Sequence, residues 1–228
     1  KEGVIVSPPW EARDTTTVNS IRRSLGTPTY SGSIEIRKEN EGITLINELY
    51  LEDYLTRVVP SEMPDSYEME ALKAQAVCAR TYAYRQIQSN AYSQYGAHVD
   101  DSTRFQVYNN LKTSDKTEQA VRETYGKLLF YQDVPIEAFY FSTSCGRTAD
   151  AGVWGTDSGK YPYLRAVEVK EGGKSLGKED NDGFESYIKR EDVIAYDTSY
   201  PMFRWQTDLP ADVASAQISG AGQIQDMT

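Results

Sequence analysis

The chain has 228 residues, 39% of them hydrophobic and 25% charged, and a net charge of −10. That length supports one sizeable core, or one core with a smaller appendage. No run approaches the roughly 18 consecutive apolar residues of a membrane span, and so acidic a surface repels nucleic-acid backbones, so no nucleic-acid partner is expected.

Residues 1–32 read as an irregular lead-in or an edge element, broken by Pro8-Pro9 and Gly26-Thr27-Pro28. In 33–49, Ile34, Ile36, Ile43 and Leu45 fall at period two around the turn residues Glu39-Asn40-Glu41-Gly42, which predicts a β-hairpin with one buried face. Residues 51–59 predict a short helix that stops before Pro60, because a proline disfavours helical geometry in the residue ahead of it. Ser61, Glu62 and Met63 then read as a tight connector. Asp65 is placed to cap the next helix, with Glu68 in capping-box position. That helix runs to about Ser89, with Leu72, Gln75, Ala76, Ala79 and Ala83 on one face. Its alanines keep it slim, as a central buried helix needs.

Residues 90–110 form a loop rich in Tyr, Asp and Asn, and 117–125 a helix stopped by Gly126. Residues 127–144 predict a hairpin turning at Gln132-Asp133. A loop at 145–160, a strand at 163–169, a mobile polar stretch at 170–183, a helix within 184–195 and a short strand at 203–205 follow. The tail from Ser219 reads as disordered or truncated. The class is α+β: a central Ala-rich helix packed with β-hairpins and short strands. The organisation is a lead-in (1–32), a single catalytic domain (33–205) with room for a small hairpin subdomain, and a truncated tail (206–228).

Nucleotide-binding glycine loops, zinc-protease HExxH and CxxC are all missing from the sequence. A lone His98 leaves little scope for histidine-based nucleophilic chemistry. Carboxylate chemistry remains. Glu62, held between Pro60 and Pro64 beside Val59 and Met63, sits where desolvation favours a protonated acid that can deliver its proton to a leaving oxygen. Spacing alone reads it more readily as a surface glutamate between two helices. The following helix carries Lys73, Gln75, Arg80 and Tyr82; Arg80 is either an ion-paired strut or a fixed cation for a substrate. Asp100, Asp101, Gln106 and Tyr108 form a polar, aromatic loop that suits either a sugar groove or solvated turns. Ser142-Thr143-Ser144-Cys145-Gly146 places three hydroxyls at a strand exit, a common place for a site.

Taken together, three segments resemble the stage II sporulation protein D family, which includes amidase enhancers. They are the signature at 54–64, the central helix at 70–83 and the loop motif Asp100-Asp101 with Gln106-Val107-Tyr108. Tyr140, Ser142 to Thr148, Trp154 and Tyr161-Pro162-Tyr163-Leu164 continue the resemblance, with Gly146-Arg147 where the family more usually has a glycine pair. The family's glycine- and histidine-containing C-terminal motif is absent. The resemblance implies a lytic transglycosylase, with Glu62 as the one catalytic acid/base. Ser61, Lys73, Gln75, Arg80, Asp101, Gln106, Tyr140, Ser142 and Ser144 would bind substrate. Peptide-free glycan strands of peptidoglycan would be that substrate, and a wall amidase or engulfment proteins the partners. The chain would work outside the cell or anchored facing the wall, with leader or anchor outside this sequence. A non-catalytic module that presents wall glycan to an amidase is the alternative. An ion pair from Glu62 to Arg80 would favour that alternative. No cofactor or metal is expected: zinc through Cys78, His98 and Cys145 lacks paired local ligand spacing. A Cys78–Cys145 disulfide suits a secreted protein, and two separate thiols packed beside the site are the alternative.

Overall fold

A computed structural model describes residues 3–6, 15–22, 26–101, 104–109, 113–155, 159–177, 181–208, 210–211 and 213. The chain divides into two units, Lys1–Tyr140 and Phe141–Thr228. The boundary falls inside the span 33–205 that reads from sequence as one domain. The architecture is α+β.

In the first unit the lead-in contributes strands. Strand β1 (Gly3–Val6), a run with three β-branched residues, forms the edge of a three-stranded antiparallel sheet. β2 (Thr16–Thr17) and β3 (Thr29–Tyr30) pair separately. These three short strands lie in the stretch that reads from sequence as an irregular lead-in or an edge element. β4 (Ser33–Glu39) and β5 (Gly42–Glu48) are the expected hairpin, closed where Glu39 opposes Gly42. Ile34 is buried and Leu45 packs on the core, whereas Ile43 on the same face is 70% exposed. The sheet is anchored at its base and leaves the core towards its tip.

Helix α1 (Leu51–Glu62) does not stop before Pro60 but runs through it. Proline at position 60 removes one helical N–H, at a cost of about 3 kcal/mol in a helix interior. The last turn forms because other groups hold it. Ser61 Oγ donates to the Arg57 carbonyl at 2.6 Å, Met63 N–H donates to Val59 O at 2.9 Å, and residues 107 and 109 donate to its side chains. The expected connector at 61–63 is therefore mostly helix. α2 (Met69–Ile87) starts later than the Asp65 cap predicts; Glu68 is the cap residue and makes no side-chain capping bond. The Tyr67 N–H donates to Pro64 O in a turn that occupies the intervening residues. α3 (Asp115–Glu123) starts two residues before its expected position, because Ser114 and Thr117 form a reciprocal capping box.

These helices supply the core. Leu55, Val58 and Val59 of α1, Leu72, Ala76 and Ala79 of α2, and Ala120 and Val121 of α3 pack with Tyr30, Ile34 and Tyr108. The alanine face of α2 lets its neighbours approach closely, as the sequence predicts. β6 (Phe130–Tyr131) and β7 (Val134–Pro135) make a short hairpin. Gln132 and Asp133 both have positive φ, the pattern of the tight turn that matches strand twist. The expected longer strand through 141 does not form. Pro135 offers no N–H, and its carbonyl accepts from Arg85 at 2.6 Å.

The second unit is mostly turns. α4 (Asn181–Ile188) and a 3-10 turn at Ala151–Trp154 are its helical pieces among the described residues. The predicted strand at 163–169 is reduced to isolated pairings, Val167 with Ser175 and Glu168 with Arg147. The predicted strand at 203–205 is a bend. Side-chain clamps replace ladders here: Tyr187 Oη donates to Cys145 O at 3.1 Å, and Arg147 stacks on the Tyr187 ring at 3.7 Å. Part of the polar stretch at 170–183 and the tail from Ser219 lie outside the described residues. No helix among the described residues is long and apolar enough to cross a membrane.

Candidate functional site

The extra turn of α1 delivers Glu62 as the last helical residue, half-buried. Residues 106–109 lie across that helix end. Val107 N–H donates to Glu62 Oε1 at 2.9 Å, and Asn109 N–H donates to Ser61 Oγ at 3.1 Å. Tyr140 Oη donates to the same Glu62 oxygen at 3.1 Å. Among the described residues nothing donates to Oε2.

Gln106 lies behind this pair, only 2% exposed. Its Nε2 donates to the Ala79 carbonyl and to Tyr140 Oη, both at 3.2 Å, and its Oε1 accepts from Tyr54 Oη at 3.3 Å. Burial, with the charge of Glu62 adding to it, pushes the Tyr140 phenol well above its ordinary range. Burial does the same for Tyr54. Tyr54 and Tyr30 each stack on Tyr108, at 5.5 Å and 6.4 Å between centroids. That stack holds the 106–109 segment in register.

The sequence-predicted site residues divide in consequence. Glu62, Ser61, Gln106 and Tyr140 come together. Gln106 is enclosed and its amide is engaged by Ala79 O, Tyr140 and Tyr54, so its expected contact with substrate is corrected: it supports Tyr140 from behind. Ser61 spends its hydroxyl on Arg57 O and Asn109 N–H. Arg80 is 1% exposed and grips Glu52 with two bonds of 2.8 Å, with further bonds to Val121 O and Thr124 Oγ1. It ties α1, α2 and α3 together, and its partner is Glu52 rather than Glu62. Its substrate-binding reading is corrected to the ion-paired one. Lys73 lies between Glu70 and Glu123, which hold its ammonium above the ordinary range. Gln75 is 7% exposed. Asp101 is half-buried in the 90–109 loop, where its charge acts on Tyr108; neighbouring Asp100 accepts from Tyr92 and Arg104. Ser142 and Ser144 belong to the second unit. Ser142 is exposed, while Ser144 is 8% exposed and bonded to Gly146 N–H and, through its own N–H, to Asp197.

Sequence reasoning missed the backbone N–H of Val107 and the hydroxyl of Tyr54 as parts of the site. Both lie within the quoted motifs, but a main-chain donor leaves no residue-type signal. The cysteines are free thiols, one in each unit, and burial raises the thiol of Cys78. No group of three metal-capable side chains occurs among the described residues. A cleft of about 440 Å³ in the second unit is lined in part by Lys170 and Arg190, each already paired, with Glu168 at 2.8 Å and Asp192 at 2.9 Å.

Residues 39–131 match the family model of the stage II sporulation protein. The chain is 42% identical over 137 residues to stage II sporulation protein D of Bacillus subtilis, which covers 54% of this chain and 39% of that protein. It is 36% identical over 169 residues to the amidase enhancer of the same organism, covering 73% of this chain and 21% of that protein. An uncharacterized protein of Brachyspira hyodysenteriae is 39% identical over 170 residues, covering 73% of this chain and 42% of that protein. The chain thus spans less than half the length of these relatives. The matched segment holds α1, α2, α3 and the Glu62 cluster apart from Tyr140, and over that segment the chain is similar to the stage II sporulation protein D family.

Proposed function

We propose that the chain cleaves the glycan strand of peptidoglycan as a lytic transglycosylase, with Glu62 as acid and then base. One observation supports the reading: a half-buried carboxylate whose Oε1 is pinned by Val107 and Tyr140, while Oε2 accepts no hydrogen bond from the described residues. Glu62 gives its proton to the glycosidic oxygen between N-acetylmuramic acid and N-acetylglucosamine as that bond to the anomeric carbon breaks. The muramic C6 hydroxyl then attacks the anomeric carbon, and its proton returns to Glu62. A 1,6-anhydro sugar forms, no water is consumed, and one carboxyl suffices, where ordinary glycosidases use two. Peptide-free strands are the proposed substrate, and the proposed place of action is the outer side of the cytoplasmic membrane, facing the wall.

Similarity to a protein named amidase enhancer supports a second reading, a module that holds wall glycan for an amidase without cutting it. One experiment separates the two. Peptide-free glycan strands are incubated with the chain and with Glu62→Gln, and the products are read by mass spectrometry. Anhydro ends from the unmodified chain, reduced about 10²- to 10⁴-fold in the variant, support the transglycosylase. Water-added reducing ends would mean a hydrolase, and retained binding without cleavage would mean the non-catalytic module.

A further inference from the structure

The hydrogen bonds behind Glu62 have a direction, and the Ala79 carbonyl sets it. A carbonyl oxygen can only accept, so the Gln106 amide atom 3.2 Å from it must be the nitrogen. The opposite amide orientation would set two acceptors face to face with no proton between them. With Nε2 so placed, its first hydrogen goes to Ala79 O and its second to Tyr140 Oη. Gln106 Oε1 is then the acceptor for Tyr54. Tyr140 therefore accepts from Gln106, and its single proton is left for Glu62 Oε1. Val107 N–H fills the other lone pair of that oxygen. The enclosure of Gln106 keeps water from reversing the chain, and the raised phenol of Tyr140 keeps its proton in place at working pH.

We propose that Gln106 is a positioning residue: it fixes the direction Tyr54 to Gln106 to Tyr140 to Glu62, so that Glu62 Oε1 is always an acceptor and the proton exchanged with substrate travels on Oε2. The alanine face of α2 makes this possible, because a slim helix exposes the Ala79 carbonyl to a side chain from another segment. The bearing on catalysis rests on the acid/base reading of Glu62; the proton map itself does not.

Neutron diffraction from crystals of the deuterated chain tests the map directly. Deuterium is expected on Tyr140 Oη along the line to Glu62 Oε1, and two deuteriums on Gln106 Nε2. Deuterium on Glu62 Oε1, or a Tyr140 deuterium directed at Gln106, overturns the inference. Kinetics on peptide-free glycan then test the role. Gln106→Met is expected to lower kcat roughly 10- to 100-fold with KM unchanged and to displace the pH–rate profile. Added to Tyr140→Phe, it is expected to cause no further loss, because it acts through that hydroxyl. Losses that multiply in the double variant, or a change confined to KM, overturn the positioning role. If the unmodified chain cleaves no glycan, the transglycosylase reading fails while diffraction still decides the proton map. If Gln106→Met does not fold, diffraction from the unmodified chain decides it equally.

Discussion

The backbone N–H of Val107 donates to Glu62 Oε1 at 2.9 Å, joining two segments that lie 45 positions apart in the chain. It is one of two main-chain donors from the 106–109 segment that hold the final turn of α1; the other goes to Ser61. The turn carrying the proposed acid therefore depends on a loop distant in sequence.

Ser61→Ala tests that dependence. The substitution leaves the Asn109 N–H without its acceptor and removes the bond to Arg57 O. A stability loss of about 1–3 kcal/mol is expected in urea denaturation. Glycan cleavage should fall further than the unfolded fraction explains, because the helix end moves. Unchanged stability would mean that the turn holds without Ser61.

Arg80 and Glu52 form the internal strut of the three helices. Glu52→Ala leaves a guanidinium that is 1% exposed without its anionic partner, and is expected to cost about 3 kcal/mol. Arg80→Met combined with Glu52→Leu removes both charges and is expected to recover most of that loss. Differential scanning calorimetry reads both; a double variant no more stable than Glu52→Ala would contradict the strut.

Tyr108 carries a buried hydroxyl with no hydrogen-bond partner among the described residues. Tyr108→Phe keeps the stack with Tyr30 and Tyr54 and removes an unsatisfied group, so it should be neutral or stabilising by about 1 kcal/mol at neutral pH. The same residue bears on alkaline stability. Burial pushes its phenol up to about 12. An acid whose folded pKa is raised binds its proton more tightly in the folded state, so its contribution is fully present below about pH 10 and is lost as pH rises towards 12. The unmodified chain should lose up to about 1.4 kcal/mol per pH unit per such tyrosine across that window, and Tyr108→Phe should lessen the slope. Equal slopes would remove Tyr108 from the account.

Gly146 in the second unit has φ +94°, and a Cβ there would meet Tyr187 Oη at 2.6 Å and Val193 Cγ1 at 3.1 Å. Gly146→Ala should therefore displace Tyr187 from its bond to Cys145 O, at a cost of about 1–3 kcal/mol from backbone strain alone. Hydrogen exchange in residues 181–190 is the readout, and unchanged protection there would contradict the clamp.

The sequence by itself determined the β4–β5 hairpin, the alanine face of α2 and the Glu62-centred motif. Each of these is written in local spacing: period two, helical repeat, or a contiguous run of residue types. The same local rules misplaced the end of α1, since the cost of Pro60 is local while the bonds that outweigh it come from residues 107 and 109. They also left Arg80 and Gln106 open to a substrate role, because residue type does not reveal whether a polar group faces solvent or is enclosed. Only tertiary structure gave Arg80 its partner Glu52, set Gln106 behind Tyr140, and pinned one oxygen of Glu62 while the other has no donor among the described residues. Burial and hydrogen-bond direction are properties of segments brought together, and no single segment carries them.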